Sequence, residues 1–332
     1  MSARRIPLNF FGMSFGLAGL AGTWVTAAHQ GHAPRQVGDA LLALSAAVWL
    51  VTLAFYLRYM SAGRGRLSAD LLDHVAGPFA ALALITPMLL AAQGLAPHAL
   101  TAGRVVVDVF LVLTVLLGGW FTGQWIYGPL ELDKLHPGYF LPTVAGGLVA
   151  SASAAEVGQR RLAEVMLGLG LICWLILGSM ILGRLLFRPA LPAPLLPTLA
   201  IEVAPAAVAS VAYLAINGDR IDIVAAALAG YGLLMVLAQL RLLPVFLRLK
   251  FTPSTWAFTF SWAAVATASL HWIEAGHPAG HLVYTWLVLT AATALVGGIA
   301  ARTLIALGRR QLLPAAPAAP VVTDQPVTTQ AG

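Results

Sequence analysis

Glu202 stands inside the apolar stretch Ile201-Glu-Val-Ala-Pro-Ala-Ala207. An ionisable side chain in a run of membrane-spanning length is costly, so its presence points to function or to a specific partner. On a helix it shares a face with Pro205, Ala206 and Ala209, so it would stand beside any channel that this helix helps to line, near the helix start. A carboxylate there can be protonated, tied down by backbone N–H groups of a broken helix, or act as a proton carrier cotransporting H+ with an acid. A purely structural role is the competing reading. Histidine is the other chemistry-bearing type. Of the eight, no two share an apolar span and most lie at span ends, so a membrane haem or redox protein is the weaker alternative. His74 and His136 stand just before the third and fifth spans, where an unperturbed imidazole titrates near neutral pH, and they read as boundary residues. Asp108 pairs with Arg104 at helical i,i+4 spacing and takes no transport role.

Other chemistries lack residues to carry them. There is no GxxxxGK[ST], no GxGxxG after a strand, no HExxH and no paired CxxC, which excludes ATP hydrolysis and zinc chemistry. No cofactor is expected, and energy coupling, if used, comes from gradients. Cys173, the single cysteine, lies in an apolar run and reads as a packing residue.

The elements that position these residues follow from composition. Of 332 residues, 59% are hydrophobic and 10% charged, with a mean hydropathy of +0.85, whereas a soluble domain carries about a quarter charged residues. The chain is therefore a polytopic membrane protein, all-α, with no sizeable soluble domain. A span takes about 20 apolar residues, and the apolar runs and their breaks give ten: 7–28, 39–60, 75–93, 104–127, 137–155, 161–187, 197–216, 222–246, 253–273 and 281–305. Residues 1–306 form this ten-helix domain, and 307–332, rich in Pro, Ala, Thr and Val, form a disordered cytoplasmic tail. With the N-terminus inside, 14 of the 19 basic residues fall in cytoplasmic segments, among them Arg4, Arg5 and Arg64. That split supports an even number of spans with both termini cytoplasmic. The net charge of +6 is then a topology signal, and no nucleic-acid partner is expected.

A repeat of helix pairs runs through the chain. Odd-numbered spans open at or near Pro7, Pro78, Pro137, Pro197 and Pro253, while the even-numbered ones lack proline apart from Pro244 near one end. Proline is tolerated in a first turn. Internal prolines Pro87, Pro142 and Pro205 kink the odd helices and free carbonyls that must meet protein or water. Odd helices should thus be inner ones, and even helices should face lipid. Odd spans also carry ribbons of small residues: Gly12, Gly16, Gly19 and Thr23 in the first, and Thr143, Gly147, Ala150 and Ala154 in the fifth. Such a ribbon either lines a pore or lets helices approach closely. All five odd helices enter from one side, so their positive ends gather at one mouth and favour anions.

The strings Pro7-Leu-Asn-Phe-Phe-Gly12 through Gly16-Leu-Ala-Gly-Leu, His136-Pro-Gly-Tyr-Phe-Leu-Pro-Thr-Val-Ala-Gly146, Ile201 to Ala207 and Trp256-Ala-Phe-Thr-Phe260 resemble the tellurite-resistance/dicarboxylate transporter family. That group includes plant slow anion channels and fungal malate permeases. The resemblance implies five helix hairpins, an inner five-helix pore in each subunit, a homotrimer in the cytoplasmic membrane, and a phenylalanine of the ninth span that blocks the pore. It also implies transport of small anions: inorganic anions, C4-dicarboxylates or tellurite-type oxyanions. The family's aromatic matches Phe260, and helical geometry agrees, since Phe260 shares a face with Ala263, Ala264 and Thr267. Phe258 shares the bulkier face of Trp262, Val265 and Ser269. A core aromatic is the alternative for Phe260. Ser261 departs from the proline expected after this motif.

Overall fold

The structure is a computed structural model describing residues 6–61, 63, 65–128 and 130–312. Arg4, Arg5, Arg64 and the tail from residue 313 onward lie outside the described residues. Those described contain helices and no strand. The long segments are α1 (Leu8–His29), α2 (Arg35–Ser61), α3 (Gly77–Leu95), α4 (Leu100–Tyr127), α5 (137–156), α6 (Arg160–Phe187), α7 (196–217), α8 (Ile223–Phe246), α9 (253–276) and α10 (His281–Gly308). Eight of them, all but α5 and α9, are long and apolar enough to cross a membrane. A short helix, Arg66–Leu72, occupies the α2–α3 connection, where the apolar pattern predicts none. α2 and α4 start four residues earlier than expected, at Arg35 and Leu100. A hydropathy reading ends at the first charge, whereas helical hydrogen bonding continues past it.

Burial separates two classes. In the apolar windows of α1, α3 and α7, 67, 67 and 72% of residues are buried, against 17–28% in α2, α4, α6, α8 and α10. The odd-numbered helices pack on one another in order, and α9 returns to α1. Each even-numbered helix packs against the odd one before it.

The prolines shape the odd helices by changing the local hydrogen-bond register. α1, α3, α5, α7 and α9 each open in a 3-10 turn beside the expected proline. Pro87 is followed by a π-helical segment, Ala91–Leu95, and Pro142 lies inside another, Leu141–Ala145. Pro205 acts differently from the expected internal kink. It sits at the start of the regular helix Ala204–Asn217, where an eight-residue 3-10 segment ends and its missing N–H leaves little unpaired. The carbonyl that Pro87 frees, that of Ala83, accepts a 3.0 Å hydrogen bond from the Trp49 indole of α2. At Ser261 the helix is unbroken, and the Ser261 hydroxyl donates to the Ala257 carbonyl at 3.0 Å.

His136 caps α5. Its Nδ1 accepts from the Gly138 N–H at 3.1 Å, and its Nε2 donates to the His74 carbonyl at 3.2 Å. The first of these bonds needs the neutral ring, because a protonated Nδ1 cannot accept. Burial lowers its pKa to about 4, the His74 carbonyl opposing and Arg184 assisting. His136 is therefore a fixed cap rather than an ordinary boundary residue that titrates near neutral pH.

Candidate functional site

Two cavities lie among the odd-numbered helices. The first is reached by the opening turns of all five, from Asn9 and Gly12 of α1 to Pro253, Ser254 and Phe260 of α9. The second is built by their later turns and includes Gly19, Gly22, Gln93, Glu156, Ala264 and Thr267. Phe260 and Val208 belong to both linings. The Phe260 ring stacks on that of Phe15, with centroids 3.6 Å apart and planes 17° apart. A Cβ on Gly19 would stand 2.8 Å from Cδ2 of that ring, so the absent side chain makes the space it occupies. A stacked pair of rings thus separates two spaces made by the same five helices.

Phe258 touches neither cavity and packs edge-on against Phe246 of α8, with centroids 4.9 Å apart. Gly12 and Pro205 line the first cavity; Gly19, Ala264 and Thr267 line the second. Thr267 also joins α9 to α1, with its hydroxyl 3.0 Å from that of Thr23.

Gly16 and Gly147 are pore-lining candidates that the structure places elsewhere. Gly16 packs against Thr259 of α9, and a Cβ on Gly147 would meet the Gly170 backbone nitrogen of α6 at 2.7 Å. Both permit close helix approach. Pro87 and Pro142 lie off both linings and act through the π-helical segments beside them. On α5 the cavity face is Leu141, Val144, Ala145 and Leu148, then Val149, Ala152 and Glu156.

Glu202 is buried, yet it lines neither cavity. It lies near Tyr231 of α8, and its Oε1 has no hydrogen-bond partner. Its expected place beside the channel is thus not where the helix turns it: the 3-10 winding of 196–203 rotates each residue by about 120° rather than 100°, so an α-helical wheel mis-assigns the face. Asp108 accepts from Gln159 at 3.0 Å. Arg104 is turned instead to the Val157 carbonyl at 2.8 Å, which leaves the expected Arg104–Asp108 pair unformed.

Sequence reasoning missed Glu156. It ends α5 one residue beyond the expected boundary, where a glutamate looks like an ordinary loop charge. The signal was its spacing from Val149 and Ala152, which puts the three on one helical face.

Residues 5–304 match the family described as SLAC1, voltage-dependent anion channel. The chain is similar to the tellurite resistance protein TehA homolog of Haemophilus influenzae, with 30% identity over 265 residues that cover 80% of each chain. It is also similar to the guard cell S-type anion channel SLAC1 of Arabidopsis thaliana, with 26% identity over 178 residues, 52% of this chain and 32% of that one.

Proposed function

Because the chain belongs to the SLAC1 family of voltage-dependent anion channels, we propose that it moves small anions across the cytoplasmic membrane through a pore within each subunit, gated by Phe260. All ten helices cross, as five hairpins with both termini cytoplasmic and the odd-numbered helices inside, and three copies assemble. The observation that carries this reading is the position of Phe260, which belongs to both cavities. A hydrophobic constriction of this kind gates by excluding water. The opening turns of all five odd helices gather around the first cavity, and the positive end of a helix favours an anion over a cation. The function needs neither a cofactor nor covalent chemistry.

The substrate lies among chloride, nitrate, C4-dicarboxylates such as malate, and tellurite-type oxyanions. A proton-coupled carrier would need a titratable group on the path, and Glu202, off both linings, fits a structural role better. Flux into liposomes across chloride, nitrate, malate and tellurite, with and without a pH gradient, tests the reading. Movement of at least one of these anions, faster in Phe260→Ala, is expected. No flux of any of them, even in Phe260→Ala, would overturn it.

A further inference from the structure

Beyond Phe260 the second cavity ends at a pair of polar side chains. Gln93 of α3 donates from Nε2 to Oε1 of Glu156 on α5 at 3.4 Å. Both residues also line a third cavity, with His29 and Arg35, at the end where the odd-numbered helices finish. Gln93 and Glu156 are the two residues common to the second and third linings. They therefore stand where the path leaves the inner helices, as Phe260 stands at its middle.

The charge there is unbalanced. Arg35 donates to Asp39 at 2.8 Å, to the Gln93 carbonyl at 2.7 Å and to His29 Nε2 at 2.9 Å. Its one positive charge thus faces two carboxylates, Asp39, which it bonds, and Glu156, which only feels its field, so one negative charge is left in surplus on an anion's route. Gln93 adds a second observation: its Oε1 is buried beside Gly22 without a donor. A protonated Glu156 can supply that donor once the amide turns over, whereas an ionised one can only accept. The pair thus has two hydrogen-bonded states that differ by one proton and one unit of charge.

We propose that Glu156 and Gln93 form a second, proton-operated constriction, and that anions pass only when the Glu156 carboxyl is protonated. The proposal rests on the pore reading given above. In that topology the constriction faces the outside, so external acid activates flux. The charged groups around it are few. Arg35, Asp39 and His29 face it from α2 and α1, and Arg104 from α4 bonds the neighbouring Val157 carbonyl. On α6, Arg160 is paired with Glu164. Farther off, at the ends of α7 and α9, Asp222 bonds Tyr213, His271 pairs with Asp219, and Glu274 with His32.

The test uses the full chain in liposomes, with Phe260→Ala as the open background, chloride and nitrate as probes, and external pH varied from 8 to 5. Repulsion between two unit charges a few ångströms apart makes the expected rise in flux with acid about tenfold or more. Adding Glu156→Gln, the size of the protonated side chain, should give high flux at every pH. Glu156→Ala should do the same, so the test survives poor folding of either variant. Glu156→Asp and His29→Gln should keep the rise. A rise that persists in both neutral Glu156 variants, or that vanishes in His29→Gln, overturns the role of Glu156, as does flux independent of pH in the parent. No flux in Phe260→Ala would instead remove the pore reading, and this proposal with it.

Discussion

On α1, Gly12 and Gly19 border the two cavities, and the ring of Phe260 fills the space that a side chain on Gly19 would take. On α5 a ribbon of identical spacing turns away. Thr143 packs against Gly118 of α4, Gly147 lies on the Gly170 backbone of α6, and larger residues such as Leu141 and Val144 form the cavity face. Small residues at i, i+4 and i+7 therefore specify that something approaches closely. Whether the neighbour is a helix, a ring or a pore is decided by the rotation of the helix, which the 3-10 and π segments reset.

The largest effect should come from the ring seated on the α1 ribbon. Phe260→Ala removes the side chain shared by both cavities and should raise anion currents about tenfold or more, as opening a hydrophobic gate does. Phe258→Ala, which loses the contact with Phe246 and other packing away from both cavities, should leave currents at matched surface expression unchanged. A silent Phe260→Ala beside a leaky Phe258→Ala would show that the α1 ribbon seats a core ring.

Much of this contrast was legible in the sequence, and the missing part has a physical cause. Alternating prolines at Pro7, Pro78, Pro137, Pro197 and Pro253 foretold which helices would be buried, because a proline-led first turn and freed carbonyls need protein around them. The face of Phe260 with Ala264 and Thr267 was readable because α9 is regular from Ala257 to Gly276. Glu202 lies within an irregular turn and Gly147 just after one, and both were misplaced because a wheel drawn at 100° per residue accumulates error there. Glu156 escaped because hydropathy cannot tell a terminal charge facing a cavity from one in a loop.

The α5 ribbon should fail by packing rather than by conduction. In Gly147→Leu the new side chain meets backbone of α6, which cannot yield as a flexible side chain does, and the cost should exceed the ~1–3 kcal/mol usual for overpacking. Loss of the monodisperse protein on purification reads this out. On α1, a Cβ at Gly12 would lie at an ordinary 3.5 Å from Trp256 Cβ, so Gly12→Ala should fold with a change under about 1 kcal/mol. Equal tolerance at both positions would erase the distinction between the ribbons.

The two helices also begin differently. α1 starts without a side-chain cap, whereas His136 caps α5 in its neutral form. The folded ring has a pKa of about 4 and the unfolded one an ordinary value near 6.5, so the unfolded state binds the extra proton between these values. This contribution leaves stability intact above about pH 6.5 and lowers it as pH falls toward 4, by about 2 kcal/mol between pH 7 and pH 5. Thermal melts of His136→Asn, whose side-chain oxygen can still cap, should lack that part of the acid sensitivity. A melt profile in Asn identical to that of the unaltered protein would place the acid sensitivity elsewhere.

The smallest effect tests how the outer helices serve the irregular inner ones. Trp49→Phe keeps an aromatic ring on α2 but removes the N–H that satisfies the Ala83 carbonyl freed by Pro87. Interhelical hydrogen bonds in membranes contribute about 0.6 kcal/mol on average, and an unpaired carbonyl in apolar surroundings costs about 1–3 kcal/mol, so a loss of about 1 kcal/mol is expected. Restoring a normal backbone donor with Pro87→Ala should make Trp49→Phe nearly neutral, because the new backbone N–H at that position can then bond the Ala83 carbonyl. A double-mutant cycle measured by thermal unfolding gives the coupling directly, and additive effects would mean that the indole packs against α3 without compensating its proline.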